Sequence, residues 1–125
     1  MNTKLKSAEH LEEIEINKLL KYLFQNQLWL YYLIVRLGVS TALRYSDLSR
    51  IRWVDVLNNQ FLIIKEKKTT KIREIPLQVE LTDTLSKIYI KMGCPVVSDI
   101  IIPLHIRTVN KMIKIYATRS GIRGK

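Results

Sequence analysis

Cysteine is almost absent from this 125-residue chain: Cys94 stands alone, so neither a disulfide framework nor a cysteine-rich metal site can form within it. Histidine is nearly as scarce, and His10 and His105 are too few to make a zinc site. Four glycines and three prolines, with no Ser/Gly or Gln/Asn tract, leave nothing that reads as a linker or low-complexity segment. Residues 1–125 are therefore read as a single domain, long enough to bury a core unaided. The opening MNTKLKSAEHLEE has no apolar stretch of the kind a secretory leader needs. The long apolar run LWLYYLIVRLGVSTAL, 28–43, is shorter than the roughly twenty residues of a spanning helix, and Arg36 interrupts it. It reads as the central helix of a soluble core, and a cytoplasmic, reducing location is the expectation.

Acid is missing from the end of the chain. Glu9, Glu12, Glu13 and Glu15 crowd the N-terminus, whereas beyond Asp99 there is none, and Arg107, Lys111, Lys114, Arg119, Arg123 and Lys125 are left unopposed. With a formal net charge of +10, so lopsided a field suits a polyanion, because every phosphate contacted releases condensed counterions. A merely soluble basic protein would carry the same charge, so charge by itself does not choose.

Periodicity sets out the elements. Leu11, Ile14, Ile16, Leu19, Leu20 and Leu23 recur at helical steps, which predicts an amphipathic helix over 8–24 with Ser7 as its N-cap. The apolar run is a second helix, buried nearly all round and ending near Ser40 to Leu43. Ser46 is expected to cap a third, short helix from Asp47 to Ile51. From Trp53 the period changes, and FLIIKE and KIREIPL within 60–77 read as two strands of a hairpin whose polar turn spans Lys67 to Thr70. Asn58-Asn59 marks a turn, so Val54 to Leu57 is expected to add a third strand. Leu81, Leu85, Ile88, Tyr89 and Met92 give a fourth helix stopped by Gly93 and Pro95; Val109, Met112, Ile113 and Tyr116 give a fifth, ended by Gly121. The expected fold is α+β, mainly helical, with a small three-stranded antiparallel sheet.

Catalytic chemistry is tested by subtraction. No Cys-His or Ser-His-Asp arrangement, Walker-type glycine loop or close carboxylate pair can be placed. What remains is cationic: Arg44 after the buried helix, and Lys67, Lys68 and Lys71 at the hairpin tip. Such groups converging on one point do phosphate chemistry, since a guanidinium forks onto two phosphate oxygens and an ammonium can donate a proton to a leaving oxygen. Trp53 and the pair Tyr31-Tyr32 need only a core-filling role.

With those residues in view, TALRYSDLSRIRWVDV resembles the first active-site box of the tyrosine recombinases, the phage-integrase family, whose usual form is roughly tGLRisELlaLrWsDi. EKKTTKIREIPL resembles that family's lysine-tipped β-hairpin, of the form KTgk.R.vPL, at the family's spacing. AEHLEEIEINKLL resembles the segment that opens its catalytic domain, and TVNKMIKIYATRSGI the helix before its third box. The likeness runs from about residue 8 to 122. It implies that Arg44 is catalytic, gripping a non-bridging oxygen of the scissile phosphate and steadying the pentavalent transition state. It implies that Lys68, eight residues before Pro76, is the general acid for the departing 5′-hydroxyl, with Lys67 or Lys71 as alternatives under a different turn register. Lys67, Lys71 and Arg73 are assigned to DNA contacts. Asp47, where relatives more often carry Glu, is given a structural supporting role, and Ala42 stands where Gly is commoner. His105, in HIR, has the wrong spacing and the wrong side of its helix for the family's His-x-x-Arg box, and is rejected.

The same resemblance exposes a gap. The His-x-x-Arg box and the late nucleophilic Tyr have no counterpart in these residues, and the six tyrosines all lie upstream of where that nucleophile belongs. Because such residues act as a unit, the expectation is a fragment of a larger site-specific DNA recombinase, one that binds double-stranded DNA weakly and does not cleave it. A catalytically inactive DNA-binding or regulatory module that pairs with an intact recombinase shares every motif and stays open. A general RNA-binding protein would leave the paired boxes unexplained. Neither metal nor other cofactor is implied; the intact parent would act as a tetramer on DNA, and this chain as a monomer or self-associating through exposed apolar surface.

Overall fold

The first helix opens at Glu12, whose backbone is extended and whose N–H donates to Glu15 Oε1 at 3.0 Å, with Glu13 and Glu15 in the first turn. The computed structural model describes residues 12–121. The helix so started, α1 (Glu13–Gln25), is shorter at its front than the periodicity implies, and Ser7 and residues 8–11 lie outside the described residues. Asn26 ends it by donating its side-chain amide to Tyr22 O at 2.8 Å, and Gln27 turns the chain at φ 57°.

The remaining elements are α2 (Trp29–Thr41), α3 (Tyr45–Leu48), α4 (Trp53–Val56), β1 (Phe61–Lys65), β2 (Ile72–Pro76), α5 (Val79–Lys91) and α6 (Ile106–Arg119). They divide into two compact units, residues 12–45 with 104–121 and residues 46–103.

The first unit is helical. α1 packs on α2 and α6, burying Leu19 and Leu23 of α1, Leu33, Ile34 and Leu37 of α2, and Val109, Ile113 and Tyr116 of α6. Tyr116 meets Tyr31 edge-on, with ring centroids 5.2 Å apart, and Tyr22 at 6.1 Å. α6 opens on His105, whose Nδ1 accepts the Arg107 N–H at 3.1 Å, so this histidine is a helix cap.

The second unit is built round a hairpin. β1 and β2 pair antiparallel in the register Leu62 with Ile75 and Ile64 with Arg73; Leu62, Ile64 and Ile75 face inward with Trp53, Val56, Leu85 and Ile88. Trp53 meets Tyr89 of α5 edge-on at 5.1 Å. α5, which buries Leu81, Leu85 and Ile88 at helical steps, ends at Lys91, and Gly93 just beyond it turns the chain at φ 87°.

Two expectations are corrected. The sheet has two strands among the described residues: Val54 to Val56 fall in the helical turn α4 and Leu57 closes it, because Asp55 Oδ2 takes the Arg52 N–H at 2.9 Å and Asn59 caps the other end by donating to Asp55 O at 2.8 Å. These local side-chain bonds offer the backbone a better partner than a ladder. The short helix α3 also starts earlier than Asp47, at Tyr45, with Ser46 inside it; i to i+3 bonds from Arg50 to Asp47 and Ile51 to Leu48 then tighten its exit.

Candidate functional site

The backbone around Arg44 is fixed on both sides. α2 ends on Ala42 in the left-handed region, φ 58° and ψ 26°, with its N–H on Gly38 O at 2.9 Å. Thr41, buried, donates its hydroxyl to Leu37 O at 2.7 Å and accepts the Leu43 N–H at 3.2 Å. Leu43 is buried on the residue before Arg44. On the residue after it, the Tyr45 hydroxyl donates to Leu104 O. Burial raises the Tyr45 phenol above its ordinary 10.0, with Tyr31 adding to the effect, so it stays a donor throughout the neutral range. The side chain of Arg44 is exposed and makes no hydrogen bond or ion pair among the described residues. A cation on a fixed backbone without an internal partner is free to take an outside anion.

In the second unit the hairpin turn is held from within and from below. Lys67, Lys68 and Lys71 are exposed. Inside the turn, the Glu66 N–H donates to Lys71 O at 2.8 Å and Thr70 N–H to Glu66 O at 2.9 Å. The Glu66 carboxylate accepts from Thr69 Oγ1 at 2.6 Å and from Arg73 Nη1 at 2.8 Å. Thr70 sits at φ 59°, a conformation a β-branched residue reaches only under constraint. Below the turn lies Asp47, 1% exposed. Its Oδ1 accepts from Arg50 Nη2 at 2.6 Å and from the Lys67 N–H at 3.0 Å, and the same Arg50 nitrogen reaches Lys65 O at 2.7 Å. A buried carboxylate costs free energy unless paired, and this one is paired to the backbone from which the lysine turn begins.

The structure thus places Asp47 directly against Lys67 and leaves the side chains of Lys67, Lys68 and Lys71 unpaired among the described residues, while Arg73 is committed to Glu66. Arg44 belongs to the first unit and the hairpin to the second. Sequence reasoning missed Glu66 and Arg50. Arg50 was signalled by its i+3 spacing from Asp47. Glu66 was signalled by the strand register, which sets it diagonal to Arg73 once Lys65 faces Ile72. Among the described residues no group of three His, Cys, Asp or Glu side chains is placed to hold a metal ion, and no helix is long and apolar enough to cross a membrane.

The fold has counterparts among solved recombinase structures. The fold matches the crystal structure of XerA recombinase with a TM-score of 0.71 at 20% identity, over 92% of this chain and 43% of that one. It matches the lambda integrase catalytic core with a TM-score of 0.68 at 24% identity, over 92% of this chain and 71% of that one. A lambda integrase tetramer bound to a Holliday junction matches at 0.66 and 24% identity, over 90% of this chain and 34% of that one. The chain spans less than half of the XerA recombinase it resembles. No curated protein matches it. The model of the phage integrase family matches residues 9–125, and the chain belongs to that family.

Proposed function

We propose that these residues are the opening portion of a tyrosine recombinase catalytic domain, in which Arg44 and the lysines of the β1–β2 turn address the phosphates of duplex DNA. The observation that carries the reading is the buried Asp47: three residues after Arg44 in the chain, its carboxylate holds the backbone of Lys67. An acid buried at this cost, gripping the root of a turn whose three lysines find no internal partner, is what a device for presenting cations needs. Lambda integrase has been seen bound to DNA, which supports duplex DNA as the partner here.

The chemistry follows from the side chains. The Arg44 guanidinium forks onto two non-bridging oxygens of the scissile phosphate and offsets the charge that grows as the phosphorus becomes pentavalent. The Lys68 ammonium gives a proton to the departing 5′-oxygen. Lys67 and Lys71 neutralise flanking phosphates, and Arg73 supports the turn through Glu66 while its remaining donors face the backbone of the DNA. The attacking tyrosine, the second arginine and the histidine of this chemistry have no counterpart among the 125 residues. This chain therefore binds duplex DNA weakly and leaves it uncut. The outer face of the hairpin, where Ile63 is 64% and Ile72 72% exposed, supports self-association at high concentration.

A nicked suicide substrate, which traps any covalent protein–DNA intermediate, tests the reading: the 125-residue chain should retard the duplex at low salt without forming an adduct that survives denaturation. A covalent adduct, or failure to retard duplex at any salt, overturns it.

A further inference from the structure

Outside the hairpin, the helical unit carries a groove of about 400 Å³ between α1 and α2. One face of α1 contributes Asn17, Lys21 and Gln25 at four-residue steps, and one face of α2 contributes Tyr32 and Arg36, again four apart. Leu20 and Phe24 make its apolar floor. Each of the five polar groups can donate a hydrogen bond, two are cations, and among the described residues no carboxylate lines the groove.

Two further observations point to a ligand. Tyr32 is 7% exposed, and its hydroxyl accepts from Arg36 Nη1 at 3.1 Å while its own proton meets no acceptor among the described residues. With its oxygen engaged by Arg36 in a part-buried bond, the Tyr32 hydroxyl still has its proton to give to a ligand in the groove. Phe24 is 39% exposed, yet its ring is held by edge contacts to Trp29 at 5.1 Å and Tyr32 at 5.4 Å. A rigid, half-uncovered aromatic ring beside two cations offers a flat apolar surface next to an anion site.

We infer that this α1–α2 groove is a second ligand site, one that takes a nucleotide: a phosphate on Lys21, Arg36 and the Tyr32 proton, with a flat base over Phe24. It is independent of the assignment of Arg44 and the hairpin. A free mononucleotide and the 5′-phosphorylated end of a DNA strand present the same chemistry, so both are tested.

The isotope-labelled chain is titrated, with amide and side-chain resonances followed, against dAMP, deoxyadenosine, inorganic phosphate and a 5′-phosphorylated single strand. The expected result is saturable shifts at Asn17 and Gln25 with dAMP at a Kd on the order of 1 mM, and at least tenfold weaker binding of deoxyadenosine or phosphate alone. Lys21→Gln, at an exposed position, should weaken dAMP at least fivefold, and Tyr32→Phe should weaken it while keeping the ring. Tighter binding of the phosphorylated strand than of dAMP assigns the site to DNA ends; the reverse assigns it to free nucleotide. No saturable shift at 20 mM dAMP, equal binding by the Lys21→Gln chain, or full reproduction of the shifts by inorganic phosphate overturns the inference.

Discussion

Thr41 and Asp47 are the buried polar residues among those described, one in each unit, and they are satisfied in opposite ways. Thr41 bonds within its own helix end, to Leu37 and Leu43. Asp47 reaches twenty positions along the chain to the Lys67 N–H. The contrast extends to neighbours. In the helical unit, Asn26 bonds to Tyr22 and His105 takes the Arg107 N–H, both within four residues. In the hairpin unit, Arg50 reaches Lys65 O and Arg52 reaches Ser98 O. The helical unit has one long-range side-chain join, from the Tyr45 hydroxyl to Leu104 O, beside these local bonds, whereas the hairpin unit has several, from Asp47, Arg50 and Arg52.

The largest effect expected from breaking this contrast is in the helical core. Leu33→Ala, at a position fully buried on α2, should cost about 3 kcal/mol, since the deleted methyl groups return no packing energy and leave a cavity behind, read as a lower urea midpoint. Asp47→Ala should cost about 2 kcal/mol, because it strands the Lys67 N–H and frees Arg50, itself partly exposed. Hydrogen exchange separates the two: Leu33→Ala speeds exchange along α1, α2 and α6, while Asp47→Ala speeds it at Lys67 and the hairpin turn. Uniform acceleration by both variants would erase the distinction.

These long-range joins are also where the sequence was least legible. α1, α2, α5, α6 and both strands follow from periodicity that burial then enforces, and the match to Gly93 and Gly121, both at positive φ, follows from the conformations glycine alone adopts freely. The Val54 to Leu57 segment did not, since four residues of mixed pattern cannot outvote an Asp55 carboxylate bonded to Arg52 N–H. Asp47 could be read as a support by resemblance, yet nothing local says that its partner is Lys67. Glu66 needed the register before its partner Arg73 could be known, and the reach of Arg50 to Lys65 O needed the fold, though its spacing from Asp47 was local.

A smaller effect sharpens the comparison with a single substitution type. Ala42 and Thr70 both hold left-handed backbone, φ 58° and 59°, one in each unit. Ala42→Gly and Thr70→Gly should each stabilise the chain by about 0.5–1 kcal/mol, relief of strain outweighing the added chain entropy. A loss of stability at Thr70 alone would mean that its side chain, whose hydroxyl bonds to Thr69 O, holds the turn.

The smallest effect is alkaline. Burial, with each helped by a neighbouring tyrosine, raises the phenols of Tyr31 and Tyr45 above 10.0, both in the helical unit. A folded-state pKa raised above the unfolded one gives stability that is intact below pH 10 and is lost as pH climbs through the folded values. Thermal melts should therefore be flat from pH 8 to about 9.5 and fall above it, and less steeply in Tyr45→Phe.

The central claim, that the braced turn presents its lysines to DNA phosphates, is tested most directly by duplex binding as a function of salt. The wild-type chain should bind with a negative slope of log affinity against log salt. Replacing Lys67, Lys68 and Lys71 together by alanine should flatten that slope by about 2 to 3, near 0.9 for each phosphate no longer neutralised. An unchanged affinity and slope in the triple variant, with its hairpin still folded by hydrogen exchange, would contradict that claim.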